Sequence, residues 1–476
     1  MSELFSKTKS GFLWSAIERL LSQIMQFAIM LVLARYLGPT ALGLIGMLVV
    51  FIGISNVFID SGFSSALIRK QDRSEDDLTT AFFYNTAVSF ICYITLYFCA
   101  PYISSFYHQP ELTPLLRVIA LTVLINSLSL IPRVNLSVEM NFKVLAKVSV
   151  ISVFFSGLIS IIMAMNSYGV WALVAQILSF AFFTTLLLNL FSPWVPKGKI
   201  RKESFIYLFG FGGNLLISGL LDVLYNNLYQ IIIGKKFNPV AVGEFTQANQ
   251  MSSIPAMTLM SIIQRVVYPL LSQMQNAVVK MEDVYYSITK MTAIVVFPLI
   301  LGLAIVAKPL LSLLLGQDWQ NAASLISILC FGYMLYPIHA MSVNILQVKG
   351  RSDLFLRLEI IKKIIGISIL IFTTPFGIVF MCIGLSVSSY IHFFINIYFV
   401  AKVTNIKKIK QLRELGLIWS AVVVSATMAY MIGFNWQNTP ILQLLITLTV
   451  AMTLYTIYLI LLQRAFLSKF HLLLKR

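Results

Sequence analysis

The sequence predicts an all-α membrane protein of about 14 transmembrane helices. Two six-helix lobes related by a parallel pseudo-repeat are followed by two additional helices. Three observations carry this reading. Of the 476 residues, 58% are hydrophobic and 11% charged, against about 25% charged in a soluble domain. A mean hydropathy of +0.86 is more than a water-soluble core can hide. The apolar runs are long and continuous, which excludes the short alternating strands of a membrane barrel. Lastly, a proline–glycine loop motif returns 200 residues after its first appearance, from Pro39 to Pro239.

The runs place spans at 11–36, 41–62, 78–100, 115–137, 144–165, 168–192 and 205–234. They continue at 239–273, 284–315, 320–348, 354–374, 376–401, 415–434 and 440–463. At 1.5 Å rise per residue, the eighth and ninth are long enough to tilt strongly or to project beyond the bilayer. The first run is too long for a cleavable signal and carries Glu18 and Arg19, so it is expected to remain as a helix.

The net charge of +17 comes from 35 basic and 18 acidic residues. It is not a nucleic-acid signal in such a chain, because Lys and Arg concentrate in cytoplasmic loops. With the N-terminus inside, the cytoplasmic side receives all the basic residues but Arg19, Arg35, Arg117, Lys235, Lys236, Arg265, Lys290 and Lys308. Arg133, Lys362 and Lys363 are counted in those inner loops. Lys235 and Lys236 alone fall squarely in an outer loop, and Arg35, Arg117 and Lys308 snorkel near the outer interface. Both termini are therefore expected in the cytoplasm.

The repeat sets the domain boundaries. Leu37-Gly38-Pro39-Thr40-Ala41-Leu42-Gly43 joins the first two spans, and Phe237-Asn238-Pro239-Val240-Ala241-Val242-Gly243 joins the seventh and eighth. Tyr168-Gly169-Val170 returns as Phe376-Gly377-Ile378, and Lys143 and Lys147 have counterparts in Arg351 and Arg357. Six spans separate each pair, so both halves start on the same side, as in a parallel repeat. Residues 1–200 form the first lobe, 201–403 the second, and 404–476 the two additional helices and a cytoplasmic tail. Two facing lobes imply a central cavity and rocking-type alternating access.

Polar residues inside a membrane are costly and need a partner or water. Span one carries Ser15, Arg19, Ser22 and Gln26 at helical spacing, with Glu18 and Gln23 on the flank. Span seven carries Asn214, Ser218, Asp222, Asn226 and Tyr229. Span two adds Asn56 and Asp60, and span eight adds Gln250, Ser253, Ser261, Gln264 and Arg265. These faces are expected to line the cavity. Arg19 and Arg265 are the candidates for gripping a diphosphate, since a guanidinium fork matches it, and Gln26, Asn214, Asn226, Gln250 and Gln264 are the candidates for lining the cavity beside them. Glu18, Asp60 and Asp222 are the candidates for ion coupling. The plainer alternative is that Arg19 and Arg265 neutralise Glu18 and Asp60, and that Asp222 only holds helices together. His339 and His392 read as structural side chains.

No loop is long enough for a catalytic domain, no phosphate-binding Gly-rich loop appears, and Cys92, Cys99, Cys330 and Cys382 have no metal-ligand spacing. The reading is a transporter, not an enzyme, with no cofactor and no metal. A polysaccharide polymerase or ligase is the alternative from another class.

The chain resembles the Wzx-type polysaccharide flippases of the multidrug/oligosaccharidyl-lipid/polysaccharide exporter superfamily. The resemblance rests on Ser10-Gly11-Phe12-Leu13-Trp14-Ser15-Ala16, on Leu33-Ala34-Arg35-Tyr36-Leu37-Gly38-Pro39 with Gly43, and on Asp60-Ser61-Gly62-Phe63 followed by Ile68-Arg69-Lys70. Ala241-Val242-Gly243-Glu244-Phe245 and Gln264-Arg265-Val266-Val267-Tyr268-Pro269 extend it. It implies a fourteen-helix, two-lobed flippase of the bacterial inner membrane. The implied substrate is an undecaprenyl-diphosphate-linked oligosaccharide for O-antigen (lipopolysaccharide), capsule or exopolysaccharide assembly. Membrane lipid and the pathway's polymerase and chain-length regulator are the implied partners. Related lipid II flippases use arginines on helices one and eight, the helices that hold Arg19 and Arg265 here. Glu18, Asp60 and Asp222 depart from a purely cationic cavity. A multidrug cation exporter of the same superfamily is the alternative within transport.

Overall fold

The structure, a computed structural model, describes residues 2–274, 277–436 and 439–462; the side chains of residues 2–20, 265, 266, 278, 279, 352 and 462 lie outside that description. Among the described residues every regular element is helical. Eleven helices are long and apolar enough to cross a membrane, or twelve if the bent pair Leu112–Ser127 and Leu130–Val138 is one span. The chain divides into two compact units, Met1–Gly243 and Glu244–Arg476.

The difference from the expected fourteen has physical causes. Spans one and two run together as α1 (Ser2–Asp60), which is not straight: Gly38 takes φ 70° and ψ 178° just before Pro39. Pro39 lacks the N–H that would bond back into the preceding turn. Span eleven is present as α14 (Ser352–Thr373), but Arg357, Glu359, Lys362 and Lys363 make it too charged to count as a span by composition. The sequence reading had placed Lys362 and Lys363 in an inner loop. The structure puts them three turns into α14, with Lys362 buried and paired to Glu359 at 3.1 Å.

In the first unit α1 packs on α7 (Phe142–Met165) and α9 (Lys202–Lys236), and α7 packs on α8 (Trp171–Phe191). The helix between α3 (Glu75–Tyr107) and α7 is broken into α4 (Leu112–Ile119), α5 (Leu121–Ser127) and α6 (Leu130–Val138), with a 43° bend before α6. Pro132 explains that bend, because its missing N–H leaves the Leu128 carbonyl without its helical donor. α8 covers the gap: Asn189 Nδ2 donates to the Leu128 carbonyl at 3.3 Å, and Thr185 Oγ1 donates to the Ile125 carbonyl at 3.1 Å.

The same construction recurs in the second unit. α12 (Gln320–Tyr333) and α13 (Tyr336–Val348) break just before Pro337. From α15 (Ile378–Val403), Ser386 Oγ donates to the Ile328 carbonyl at 2.7 Å and Ser389 Oγ to the Gly332 carbonyl at 2.9 Å. The turns into α7 and α14 also match. Met140 and Gly350 take φ 55° and 68°, and the residues after them, Asn141 and Arg351, share ψ 59°. The amides of Asn141 and Arg351 donate to Leu136 and Leu346 at 2.9 and 3.0 Å.

A further pair of matching contacts ties each inter-helix linker to an earlier helix. The backbone N–H of Lys199 donates to Asp76 at the start of α3 at 2.7 Å, with the Gly198 and Arg201 amides on Thr79 and Thr80. The backbone N–H of Asn405 donates to the buried Glu282 at the start of α11 (Val278–Leu314) at 3.0 Å. α16 (Lys408–Phe434) and α17 (Pro440–Leu462) pack on α11. The Lys290–Glu414 pair at 2.6 Å joins α11 to α16.

Candidate functional site

The end of α1 is built by Asp60-Ser61-Gly62-Phe63. Ser61 and Gly62 take φ 43° and 71°, turning the chain sharply into α2 (Phe63–Arg69). Asp60 then caps the new helix: Oδ1 accepts from the Ser64 amide at 3.3 Å and from Ser64 Oγ at 2.5 Å. A carboxylate is favoured there by the unpaired N–H groups of the first turn. Gly62 is required twice over, by its positive φ and by a Cβ position only 2.8 Å from Gly212 Cα on α9. Phe63 is fully buried and stacks on Tyr84 with centroids 4.6 Å apart.

This turn sets a group of cations against α9. The Arg69 guanidinium lies 4.9 Å from the Phe211 ring centroid and the Lys70 ammonium 5.1 Å from that of Tyr207. Lys70 also pairs with the buried Asp77 at 2.7 Å. Arg133, on α6, comes within electrostatic reach of Asp60. The junction of α1, α2, α6 and α9 thus gathers three cations, with Asp60 and Asp77 among them. Lys70 is already engaged by Asp77, which leaves Arg69, over the Phe211 ring, and Arg133 as the cations that can hold a phosphate-type anion by charge-assisted bonds.

From this junction α9 carries a polar stripe. Asn214, Ser218, Asp222 and Asn226 stand at intervals of four residues and are all exposed. Asp222 is about 16 Å along the helix from Phe211 at 1.5 Å per residue. A neighbouring face of α9 packs on the second part of α1, where Gly219 lies against Val57 and Val223 against Gly53. Exposed apolar residues on the same helix, Ile217 and Leu221, are each 59% accessible.

Of the other expected residues, Gln26 is exposed on α1, Gln250 is exposed on α10 (Pro239–Gln273), and Gln264 is half-buried on the same helix. The side chains of Glu18, Arg19 and Arg265 lie outside the described residues. Gln26, Asn214, Asp222 and Asn226 belong to the first unit with Asp60, whereas Gln250 and Gln264 belong to the second. Sequence reasoning missed Arg133, which it took for a loop cation. The signal that could have found it is Pro132, which bends α6 at its start. It also missed the polar network around His339 in the second unit.

The profile of the family described as polysaccharide biosynthesis protein matches residues 32–324. The chain belongs to that family. Among its relatives, the teichuronic acid biosynthesis protein TuaB of Bacillus subtilis is 26% identical over 358 residues, covering 74% of each chain. The lipopolysaccharide biosynthesis protein WzxC of Escherichia coli is 23% identical over 368 residues, covering 76% of this chain and 74% of that one. Among solved structures, the lipid II flippase MurJ in an inward closed conformation superposes with a TM-score of 0.74 at 13% identity, over 94% of this chain and 99% of that one. An inward-facing multidrug transporter of the MATE family gives a TM-score of 0.61 at 15% identity, over 82% and 98%. The polysaccharide biosynthesis family member described here therefore shares the all-helical fold of these two structures.

Proposed function

We infer that this chain is a flippase that carries undecaprenyl-diphosphate-linked oligosaccharide units from the inner to the outer leaflet of the bacterial inner membrane. The units serve surface polysaccharide assembly, and the mechanism is alternating access. The observation that carries the reading is the exposed stripe Asn214–Ser218–Asp222–Asn226 on a helix otherwise long and apolar. Polar side chains deep in a spanning helix need a partner or water beside them, and four exposed in one row favour a wet face over a lipid-facing one. A hydrated polar face that crosses the membrane suits a sugar headgroup whose lipid tail stays in the bilayer.

The cations Arg69 and Arg133 suit capture of the diphosphate at the inner end, before the headgroup reaches the stripe. Arg19 and Arg265, with Gln26, Gln250 and Gln264, are proposed as further headgroup contacts, and Glu18, Asp60 and Asp222 as ion-coupling groups. The architecture proposed is two six-helix lobes and two additional helices, both termini in the cytoplasm. The paired proline breaks, the paired turns before α7 and α14 and the paired linker contacts support that repeat. WzxC and TuaB carry polysaccharide pathways in their names, which supports the substrate class. The polymerase and chain-length regulator of the same pathway are the proposed partners.

The test is deletion of the gene with measurement of surface glycan and of lipid-linked precursor on the inner leaflet. Precursor accumulation, with glycan restored by the wild-type chain and not by Arg19→Ala or Arg265→Ala at equal expression, is expected. Normal glycan and no accumulation would overturn the reading. Altered sensitivity to cationic drugs in that strain would point to the multidrug exporters instead.

A further inference from the structure

The break between α12 and α13 leaves the Gly332 carbonyl open to a side chain from α15, and a hydrogen-bonded chain starts there. Ser389 Oγ donates to that carbonyl at 2.9 Å. Its oxygen is 3.0 Å from His339 Nε2. On the other side of the ring, His339 Nδ1 is 2.9 Å from the carboxamide nitrogen of Asn396. Asn396 is 1% exposed, and its Oδ1 has no hydrogen-bond partner.

Counting protons limits the possibilities. The one proton of Ser389 is committed to Gly332, so its oxygen can only accept, and Nε2 must carry a hydrogen. Nδ1 then has two arrangements. It is bare, and Asn396 donates to it. Or it is protonated, and Asn396, turned by half a rotation, accepts through Oδ1. Each arrangement satisfies all three contacts with the same heavy-atom positions. An amide can exchange its ends in place, since O and N occupy equivalent sites. Taking up a proton therefore breaks no hydrogen bond in this network. A neutral ring with the hydrogen on Nδ1 would lose one.

The surrounding charges tune the site. From α14, Lys362 opposes a second positive charge and Glu359, paired to it at 3.1 Å, offsets that opposition. From α15, His392 has its ring centroid 6.5 Å from that of His339 and its Nε2 3.1 Å from the Lys362 carbonyl. On α13 itself the Tyr336 ring is 6.0 Å away, and Tyr333 on α12 packs on Tyr336. α11 faces α13 with Tyr285, on Ser342, and Thr292, on Met341. His339 is half-buried on α13.

We propose that His339 is a reversible proton-binding site in the second unit, held between Ser389 and Asn396, with the Asn396 amide turning over as the proton comes and goes. The proton adds to Nδ1 and leaves from it, and Nε2–H stays in place. The site stands apart from the substrate reading, because proton binding can be read without transport.

The test is nitrogen-15 NMR of the histidines in the full chain, in lipid nanodiscs. The chain has four His residues, and the signal lost in His339→Gln assigns this one. On acidification from about pH 8 to about pH 4, a range that covers and extends below the one in which histidine ordinarily charges, His339 Nδ1 is expected to move to the imidazolium position while Nε2 stays protonated. Asn396→Leu is expected to lower the proton affinity at least tenfold. Asn396→Asp, which keeps the shape and leaves only acceptors, is expected to raise it at least tenfold, and Lys362→Met is expected to raise it by a smaller factor. A bare Nδ1 across the whole range would overturn the proposal. So would a midpoint unmoved by Asn396→Asp, which is readable even if the leucine variant does not fold.

Discussion

Gly43 and Gly243 exclude each other's side chains. A Cβ on Gly43 would fall on the Pro239 carbonyl oxygen, and a Cβ on Gly243 would fall on the Pro39 carbonyl oxygen. Each glycine is thus fixed by the proline that opens the other one's motif, within the first unit. The obstacle in both cases is backbone, which cannot rotate away as a side chain can.

Alanine at either glycine is therefore expected to destabilise by about 1–3 kcal/mol, the usual cost of overpacking. Gly43→Ala and Gly243→Ala should lower the unfolding temperature of the purified protein by similar amounts. Since both disturb one contact, the double variant should cost less than the sum of the two. Unequal or fully additive losses would contradict the reciprocal geometry.

The stripe on α9 makes a labelling prediction. In a background lacking Cys92, Cys99, Cys330 and Cys382, Asn214→Cys and Asn226→Cys are expected to react with a membrane-impermeant maleimide added to inside-out vesicles. Ile217→Cys, exposed in the structure but about half a turn around α9 from Asn226, should react at least tenfold more slowly than Asn226→Cys because lipid shields it. Equal rates at all three positions would remove the hydrated face from the transport reading.

Asp60 has two roles that substitutions can separate. Asparagine retains the capping oxygen and alanine does not, so Asp60→Ala should lose about 1 kcal/mol of stability and Asp60→Asn much less. Arg133→Gln should leave stability nearly unchanged and reduce glycan export at least tenfold. Thermal melts and complementation in the deletion strain measure the two effects. An Arg133→Gln strain with full export would take this cation out of headgroup capture.

The linker contact at Glu282 predicts a local effect. Glu282→Ala removes the acceptor of the Asn405 amide, and because Asn405 is exposed water can take its place, so the loss should be about 0.5–1.5 kcal/mol, the net worth of one hydrogen bond; Glu282→Gln keeps an oxygen and should cost less. Hydrogen exchange at Asn405 should quicken in the alanine variant and only slightly in the glutamine one. The matching experiment at Asp76, with exchange read at Lys199, should give the same order.

How far these features can be read in advance depends on whether their causes are local. Apolar runs are local, so the runs at 144–165 and 376–401 end within two residues of α7 and α15. The stripe on α9 was legible too, because spacing along one helix decides which residues share a face. The bend before α6 was not legible. It depends on Pro132, but also on Asn189 and Thr185 arriving from α8 to satisfy the freed carbonyls. Arg133 was misread for the same reason, since its approach to Asp60 exists only once α6 and the end of α1 have packed. Lys362 looked like a loop residue because its counter-charge, Glu359, matters only when α14 is formed. The contacts around His339 join side chains up to 57 residues apart, and no spacing rule reaches that far.

The composition of α14 also bears on how the chain is made. At the centre of an isolated helix each Lys or Arg opposes entry into the bilayer by about 2.5–3.5 kcal/mol. Arg357, Lys362 and Lys363 together would keep a nascent α14 from partitioning into lipid by itself. It should stay in the insertion machinery until α15 emerges, since α15 packs along it and its His392 takes the Lys362 carbonyl. Biogenesis of this region then proceeds in pairs of helices, and in a nascent chain stalled before α15 a cross-linker placed in α14 should capture the insertion machinery, whereas after α15 has emerged it should not.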